Sequence, residues 1–410
     1  PATNDVLNVF PALDRAIEYE ADIINLSLSI PGGYTMGDNV KLLDDFIREN
    51  NVPVIVAAGN SASQIGGFAT AKNVITIGAI NTGNFSSTTS HTICSGNNWP
   101  PGAHACFSSF GPEDSDGNGL SRIKPDLVAP GVQIPVPTVG GAPLYPYIDT
   151  RLHGTSLAAP AVTGVVANTF GYGGIPPSSP ELVKAHLIAT AIDIGGPAQR
   201  HLYGYGLPNA YNMVFNDIST PKRSLPLTGE TITFYTPNSS INYDRPFRVE
   251  YGYHKVRTVI AWSDLGYVAL SGNEIYNRLS LKIYTNRDCI GTPIYTSNNV
   301  DDNVQVIEIP AGHYVPPDRF WCAKITGNVS YAPQKVGFSV YTIMIPPSLI
   351  VSSSTSISPV PPGINNSFTI STNVINTGTP AGITYATLVM PPGFYLLGAN
   401  LTTDDGRTYA

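Results

Sequence analysis

Charge is scarce in this chain. Of its 410 residues 12% are Asp, Glu, Lys or Arg, 22 of them basic and 29 acidic, for a formal net charge of −7. That balance offers no basic stripe for a phosphate backbone and disfavours nucleic acid as a partner. Long hydrophobic runs are missing too: no apolar stretch approaches the roughly 18 residues of a membrane-spanning helix, so no transmembrane segment is expected. Cysteine is rare, with four residues and no Cys-x-x-Cys spacing. A zinc centre would have to recruit His91 and His104, which lie in a loop without carboxylate neighbours, and is disfavoured.

Glycine (39), proline (36) and tyrosine (22) are abundant, a composition that suits an extracellular protein, and the length points to two to four domains. The cysteines fall into two local pairs, Cys94 with Cys106 and Cys289 with Cys322. Three connectivities are open to four cysteines, and sequence does not choose among them. If bridged, they imply an oxidising compartment, with the protein secreted or cell-surface associated. Sequons at Asn84, Asn238, Asn328 and Asn400 are compatible with that setting.

Hydrophobic periodicity divides the chain. Val6, Val9, Leu13, Ala16 and Ile17 predict a helix within 5–20, followed by an apolar strand over 23–28, a helix over 40–49, and strands over 54–58 and 74–80. This β-α-β alternation predicts a mostly parallel sheet covered by helices on both faces, with functional residues at the carboxyl ends of the strands. Helices are expected again over 158–170 and 180–191. From residue 219 the helical period disappears, and short alternating segments (231–235, 257–262, 279–284, 304–309, 320–326 and 336–343) predict a β-sandwich. Residues 346–410 open as a Pro/Ser-rich linker and continue as strands over 367–375 and 383–390, an expected immunoglobulin-like module. The expected domains are 1–218, 219–345 and 346–410.

The most telling stretch is His153-Gly154-Thr155-Ser156-Leu157-Ala158-Ala159-Pro160. Gly-Thr-Ser followed by small residues and Pro places a serine on the first turn of a buried helix, where a base and oxyanion donors can activate it. Upstream, Val54-Ile55-Val56-Ala57-Ala58-Gly59-Asn60 ends a buried strand in an amide that can donate to an oxyanion. Together with Ala21–Ser29, Phe107–Pro112 and Lys124–Gly131, these motifs, in this order, resemble the subtilisin-like serine proteases over about half of the chain. The resemblance implies that Ser156 is the nucleophile, and that the Asn60 side chain and the Ser156 N–H form the oxyanion hole. It further implies that an extended protein or peptide substrate lies along Ser27-Leu28-Ser29, with Ala58, Gly59 and Thr155 beside it. A specificity pocket is expected between Ala57-Ala58-Gly59 and Gly66-Gly67-Phe68.

Two settings of that family do not occur before Asn60: an Asp-Thr/Ser-Gly strand end and a His-Gly-Thr-His helix start. The expectation is therefore that an N-terminal fragment of the same precursor supplies the Asp and His. An inactive relic of the fold is the alternative. His153, three residues before Ser156 on a tight loop, is read as structural rather than as the base. Asp22 and Asp126 stand in motifs where the family uses Asp structurally. No cofactor is required. A structural calcium ion fits the family, but Asp114-Ser115-Asp116-Gly117-Asn118-Gly119 lacks the closing glutamate, with Pro125 in its place, and is read as a solvated turn. In the 219–345 segment, Val259–Asp264, Asn277–Leu281 and Asp302–Ile307 resemble the C-terminal β-domain of some subtilases, with Arg278 and Ser280 where that family has aspartates. A calcium site carried over from there is not expected.

Overall fold

The computed structural model describes residues 9–28, 38–81, 102–111, 122–136, 151–173, 175–214, 229–249, 253–266, 275–344 and the strands 349–355, 370–376, 401–402 and 408–409. Two compact units are present, Pro1–Met344 and Ile345–Ala410.

The first unit opens with α1 (Val9–Glu18), β1 (Ile24–Leu26), α2 (Asp38–Asn50), β2 (Val54–Ala57), β3 (Ile75–Ile80) and β4 (Leu127–Pro130). The four strands form one sheet in the order β1-β2-β3-β4, with every pairing parallel. A parallel sheet hides both faces, so its strands read as unbroken apolar runs. In β2 every residue is buried, and alternate side chains serve opposite cores. Ile55 and Ala57 face the core shared with the long helix described below, whereas Val54, Val56 and Ala58 join Leu13 of α1 and Leu43 and Ile47 of α2. Helix α2 places Val40, Leu43, Phe46 and Ile47 on one stripe, the spacing expected of a helix that covers a sheet. It stops at Asn51, which takes φ +56° and returns its N–H to Ile47 O at 2.9 Å. Asparagine tolerates that left-handed conformation better than most residues.

The short strands β5 (Ile134–Pro135) and β6 (Arg151–Leu152) pair antiparallel and lead into α3 (Thr155–Gly171). α4 (Pro180–Thr190), α5 (Arg200–Tyr203) and α6 (Ala210–Val214) follow. α3 carries small and apolar residues around its whole circumference, which normally marks a fully enclosed helix. Ala158, Ala159, Val162 and Val166 are indeed buried against the sheet, yet Pro160, Ala161, Gly164, Ala167 and Gly171 are exposed along one face.

Eight strands complete the unit: β7 (Gly229–Phe234), β8 (Ser239–Arg248), β9 (Tyr253–Trp262), β10 (Arg278–Tyr284), β11 (Tyr295–Ser297), β12 (Val304–Pro310), β13 (Phe320–Val329) and β14 (Gln334–Met344). They form two antiparallel sheets, ordered β11-β10-β13-β8 and β12-β9-β14-β7. One core joins them: Ile260, Trp262, Phe338 and Ile307 from the second sheet meet Leu281, Ile283, Trp321 and Ile325 from the first. The other face of β9 belongs to the core shared by the parallel sheet and α3, where Val259 and Ala261 pack with Val183, Leu187 and Ile188 of α4. The expected divide at 218/219 lies among residues 215–228, outside those described, and the compact unit runs across it.

Polar groups also cross this junction. Asp264, after β9, forms an ion pair with the buried Lys72 (3.4 Å), and its backbone N–H donates to Asn73 Oδ1 (2.9 Å). Asp44 of α2 accepts the N–H groups of Lys72 and Asn73. Arg257 of β9 donates from Nη1 to the carbonyls of Ile188 and Ala191, each at 2.8 Å, filling acceptors that the end of α4 leaves open. Cys289 and Cys322 form a disulfide that ties the loop after β10 to β13. Cys106 is disulfide-bonded as well; its expected partner, Cys94, lies outside the described residues, as do the Asp114–Gly119 turn and His91.

In the second unit β15 (Leu349–Thr355) pairs antiparallel with β16 (Ile370–Asn376), and β17 (Leu401–Thr402) with β18 (Thr408–Tyr409). β15 corrects the expectation of a linker at the start of this segment: Leu349-Ile350-Val351 is a short β-prone run whose partner strand lies fifteen residues further on, a pairing that local composition does not disclose. The strand expected over 383–390 falls outside the described residues.

Candidate active site

Three elements converge at the carboxyl edge of the parallel sheet: the end of β1, the turn after β2 and the first turn of α3. Asn60 follows β2 by three residues, and its Oδ1 accepts both the Thr155 backbone N–H (2.8 Å) and the Thr155 hydroxyl (3.0 Å). The Thr155 Oγ1 in turn accepts the Gly59 N–H at 3.1 Å. Two donors at one end of an amide require its oxygen there, which turns the other end, Nδ2, away from Thr155. Gly154, the residue before α3, supplies no capping side chain, so Asn60 caps this helix from another element.

Gly154 has φ +153°, a conformation that L side chains rarely adopt. A Cβ added there would lie 3.4 Å from Asn60 Nδ2 and 3.7 Å from the Ser156 backbone nitrogen. Two donors thus lie close to the same point beside Gly154, with Asn60 Oδ1 3.8 Å from it. The Ser156 N–H belongs to the first turn of α3 and has no helical carbonyl to receive it. The N-terminal end of a 17-residue helix adds a positive potential at the same point. Negative charge developing there would meet preorganised donors, the requirement for stabilising a tetrahedral oxyanion.

The Ser156 side chain is half-buried, and its Oγ donates to the Ser27 carbonyl at 3.2 Å. In the opposite direction the Ser27 hydroxyl donates to the Ser156 carbonyl at 2.8 Å. Ser27 Oγ also accepts from Asn25 Nδ2 (2.9 Å), and Asn25 Oδ1 accepts from the Thr163 hydroxyl of α3 (3.3 Å). β1 is the outer strand of the sheet among the described residues, and its register with β2 ends at Leu26, so the backbone of Ser27 and Leu28 is not claimed by β2. Leu28 is 47% exposed; Ser29 lies outside the described residues.

Around this centre the other sequence motifs act as supports. Ser109 N–H holds Gly59 O (2.9 Å), Ala62 N–H reaches Phe107 O, and Ile65 N–H reaches Phe110 O, so the 107–111 segment backs the loop that carries Asn60. The 124–131 and 204–206 segments meet through Tyr205 N–H on Asp126 O and Val128 N–H on Gly206 O. Gly204 is compelled there: at φ +55°, a Cβ would come within 2.3 Å of the Pro125 and Asp126 carbonyls.

His153 does not touch Ser156 by hydrogen bond: its Nδ1 accepts the Gln133 N–H (3.1 Å), and its ring stands edge-on to Phe107. Asp126 is buried beneath the sheet between Lys124 (2.7 Å) and Lys184 (3.1 Å). Burial alone would raise its carboxyl, but the two ammonium groups outweigh burial and hold it below the usual range. Burial pushes Lys124 down to about 8 against the attraction of Asp126. His186 is buried under β14, its ring nitrogens on Ser339 Oγ and Met213 O. Among the described residues, the hydrogen-bond partner of Ser156 Oγ is a carbonyl and not an imidazole. No group of three or more His, Cys, Asp or Glu among them could hold a metal ion.

The pocket expectation needs one correction. Phe68 is 1% exposed and packs edge-on against Phe10 in the α1/α2 core, so its ring is not a wall open to substrate. Ala57 and Ala58 likewise send their side chains into the two cores and leave only backbone at the strand end. Open space is found at Gly66, where a Cβ would meet nothing within 4 Å. Asn25 and Thr163 were not singled out by sequence reasoning, and Gly154 and Pro160 entered it only as parts of the serine's motif. The one legible signal was Pro160 itself, four residues after Ser156, the spacing at which a helical carbonyl loses its donor.

The sheet, the crossover helices and a serine at a helix N-terminus beside an amide define a hydrolase-like α/β site. Residues 6–206 match the family model Peptidase_S8, the subtilase family, and this part of the chain belongs to that family of subtilisin-like serine proteases. Among curated proteins, the chain is 29% identical over 169 residues to subtilisin-like protease 2 of Pseudogymnoascus destructans, which takes in 41% of this chain and 33% of that protein. It is 28% identical over 214 residues to serine protease AprX of Bacillus subtilis, covering 47% of this chain and 42% of that protein. The chain thus spans about a third to two fifths of the length of these relatives. Among solved structures, the prenylagaramide maturation protease PagA aligns with a TM-score of 0.38 at 24% identity, over 51% of this chain and 67% of that one.

Proposed function

We propose that this chain carries the nucleophile and oxyanion hole of a subtilisin-like serine endopeptidase. Ser156 Oγ attacks a peptide carbonyl and passes its proton to a histidine. Asn60 Nδ2 and the Ser156 N–H receive the oxyanion, the amine leaves with the proton, and water then releases the acyl group by the reverse sequence. An extended substrate adds its backbone beside Ser27, Leu28 and Ser29, with Ala58, Gly59 and Thr155 shaping the site. The observation that carries this reading is the convergence of Asn60 Nδ2 and the Ser156 backbone nitrogen beside Gly154, two residues before the serine.

The reading includes an Asp and a His supplied by an N-terminal fragment of the same precursor. Among the described residues, the exposed small-residue face of α3 and the outer position of β1 support a packing partner on that side of Ser156. The bridged cysteines support an extracellular location, and among the described residues no helix is long and apolar enough to cross a membrane. The two antiparallel sheets of 229–344 are read as the expected β-sandwich domain, and the second unit as an immunoglobulin-like module. A structural calcium ion is compatible with the family, at a site this reading does not assign. The chemistry itself calls for none.

The test is fluorophosphonate labelling of the native preparation, with mass spectrometry to locate the adduct and identify every polypeptide present. An adduct on Ser156 together with a fragment carrying Asp and His is the expected result. Absence of label from a preparation that contains such a fragment would instead favour a subtilase-fold scaffold or cell-envelope interaction protein.

A further inference from the structure

Helix geometry assigns the carbonyl of Ser156 to the N–H of residue 160, four positions on. Residue 160 is proline, which has no N–H, so this carbonyl is left open in the first turn of α3. An unpaired acceptor in a half-buried site is costly, and here it is filled from another element: Ser27 Oγ donates to it at 2.8 Å. The hydroxyl is oriented for that purpose. Asn25 Nδ2 donates into its lone pair at 2.9 Å, which leaves the Ser27 proton to point at Ser156 O. Asn25 Oδ1 in turn lies 3.3 Å from the Thr163 hydroxyl, two turns further along α3, which shares its single proton with Ala159 O at 3.0 Å. Both ends of the chain of bonds are therefore on α3, and its middle is on β1.

We infer that Ser27 is a positioning residue: its hydroxyl replaces, at the Ser156 carbonyl, the helical N–H that Pro160 lacks, and so sets the first turn of α3 against the substrate strand. The inference deepens the protease reading above and rests on it for its catalytic consequence. Its structural core does not. One bond joins the strand proposed to hold substrate with the residue proposed to attack it, so the distance between attacking atom and substrate backbone is set by this pair.

The substitution that tests it is unusual in being predicted to rescue. Pro160→Ala returns an N–H to the Ser156 carbonyl, so the hydroxyl of Ser27 should matter in the parent chain and matter far less in the Pro160→Ala background. Two measurements on the full chain, one dependent on activity and one not, decide between the outcomes. In hydrogen exchange, Ser27→Ala should speed exchange of the amides in the first two turns of α3 by about 10-fold, the scale of one net hydrogen bond. In the Pro160→Ala background the same substitution should change exchange less than about 3-fold. In a preparation that reacts with fluorophosphonate, Ser27→Ala should lower the limiting acylation rate about 10-fold with the half-saturating concentration unchanged. Ser27→Thr, which keeps a hydroxyl, should recover most of that loss. Equal effects of Ser27→Ala in both backgrounds would overturn the inference. A coupled exchange result in a chain that no reagent acylates would leave the positioning bond standing and remove the protease reading instead.

Discussion

On the proposed reading Asn60 performs two separable jobs, and substitutions can pull them apart. Its oxygen caps α3 by accepting the N–H and hydroxyl of Thr155, while its Nδ2 faces the space beside Gly154. Asn60→Ala removes both. Loss of the cap should lower unfolding stability by about 1 kcal/mol, and loss of the donor should cost about 2.7–4 kcal/mol in the transition state, or 10²–10³ in turnover. The second magnitude comes from a subtilisin, a member of this family, and is not worked from the present structure. Asn60→Asp keeps an oxygen for Thr155 and places a negative charge at the N-terminus of α3, where such charges contribute about 0.3–1 kcal/mol. It has nothing to donate, and its charge opposes the oxyanion. The two variants should therefore rank in opposite orders: Asp at or above wild type and Ala below it in urea unfolding, but Asp at or below Ala in fluorophosphonate acylation. If Asn60→Asp acylated within about 3-fold of wild type, the oxyanion assignment would be wrong. If the two variants were equally destabilised, the capping role would fail.

Other parts of the molecule make independent predictions. Burial holds His186 neutral down to about 4, against 6.5 in the unfolded chain. The unfolded state thus takes up a proton that the folded state refuses, and about 3 kcal/mol should be lost as pH falls from 6.5 to 4; His186→Gln should flatten that limb of the stability profile. Asp302 works in the opposite sense. Burial raises its carboxyl to about 6 despite Lys184 and Arg122, so the folded state keeps a proton that the unfolded state has released and stability rises as pH falls from 6 toward 4. Asp302→Asn should accordingly steepen the acid loss. Removing one partner of the buried Lys72–Asp264 pair, as in Lys72→Met, should cost about 3–5 kcal/mol in urea unfolding. Asp264 also accepts the Tyr276 and Asn277 N–H groups, so its replacement should additionally loosen the start of β10 in hydrogen exchange. Reducing Cys289–Cys322, which closes a loop of 33 residues, should cost about 3–4 kcal/mol by loop entropy; no change in the unfolding midpoint with reductant would count against it.

Much of the parallel sheet was legible from local pattern. An apolar run such as Val54–Ala57 has few ways to satisfy its side chains except burial on both faces, and the stripes of α1 and α2 announce which side they cover. The antiparallel region was harder to read. β8 was not legible because Ser240, Asn242, Asp244 and Pro246 break its apolar pattern, and such a strand is tolerated best at a sheet edge, where β8 lies, next to β13 alone among the described residues. β9 carries Arg257 in the middle of an apolar run, which makes sense only once the end of α4 is seen to present two carbonyls to it.

Sequence by itself determined the family and the βα alternation, and drew attention to Ser156 and Asn60, because these depend on short-range spacing and on backbone demands that few residue types meet. Tertiary structure decided the rest of the site. Which end of the Asn60 amide faces the serine depends on Thr155, 95 residues away. The donor that replaces the missing N–H of Pro160 comes from Ser27, 129 residues before the carbonyl it serves. Phe68 turned out to belong to the core because Phe10 was there to meet it. In each case the deciding interaction lies across a distance in sequence that neither propensity nor periodicity can span, and only the packed fold brings the two groups within bonding reach.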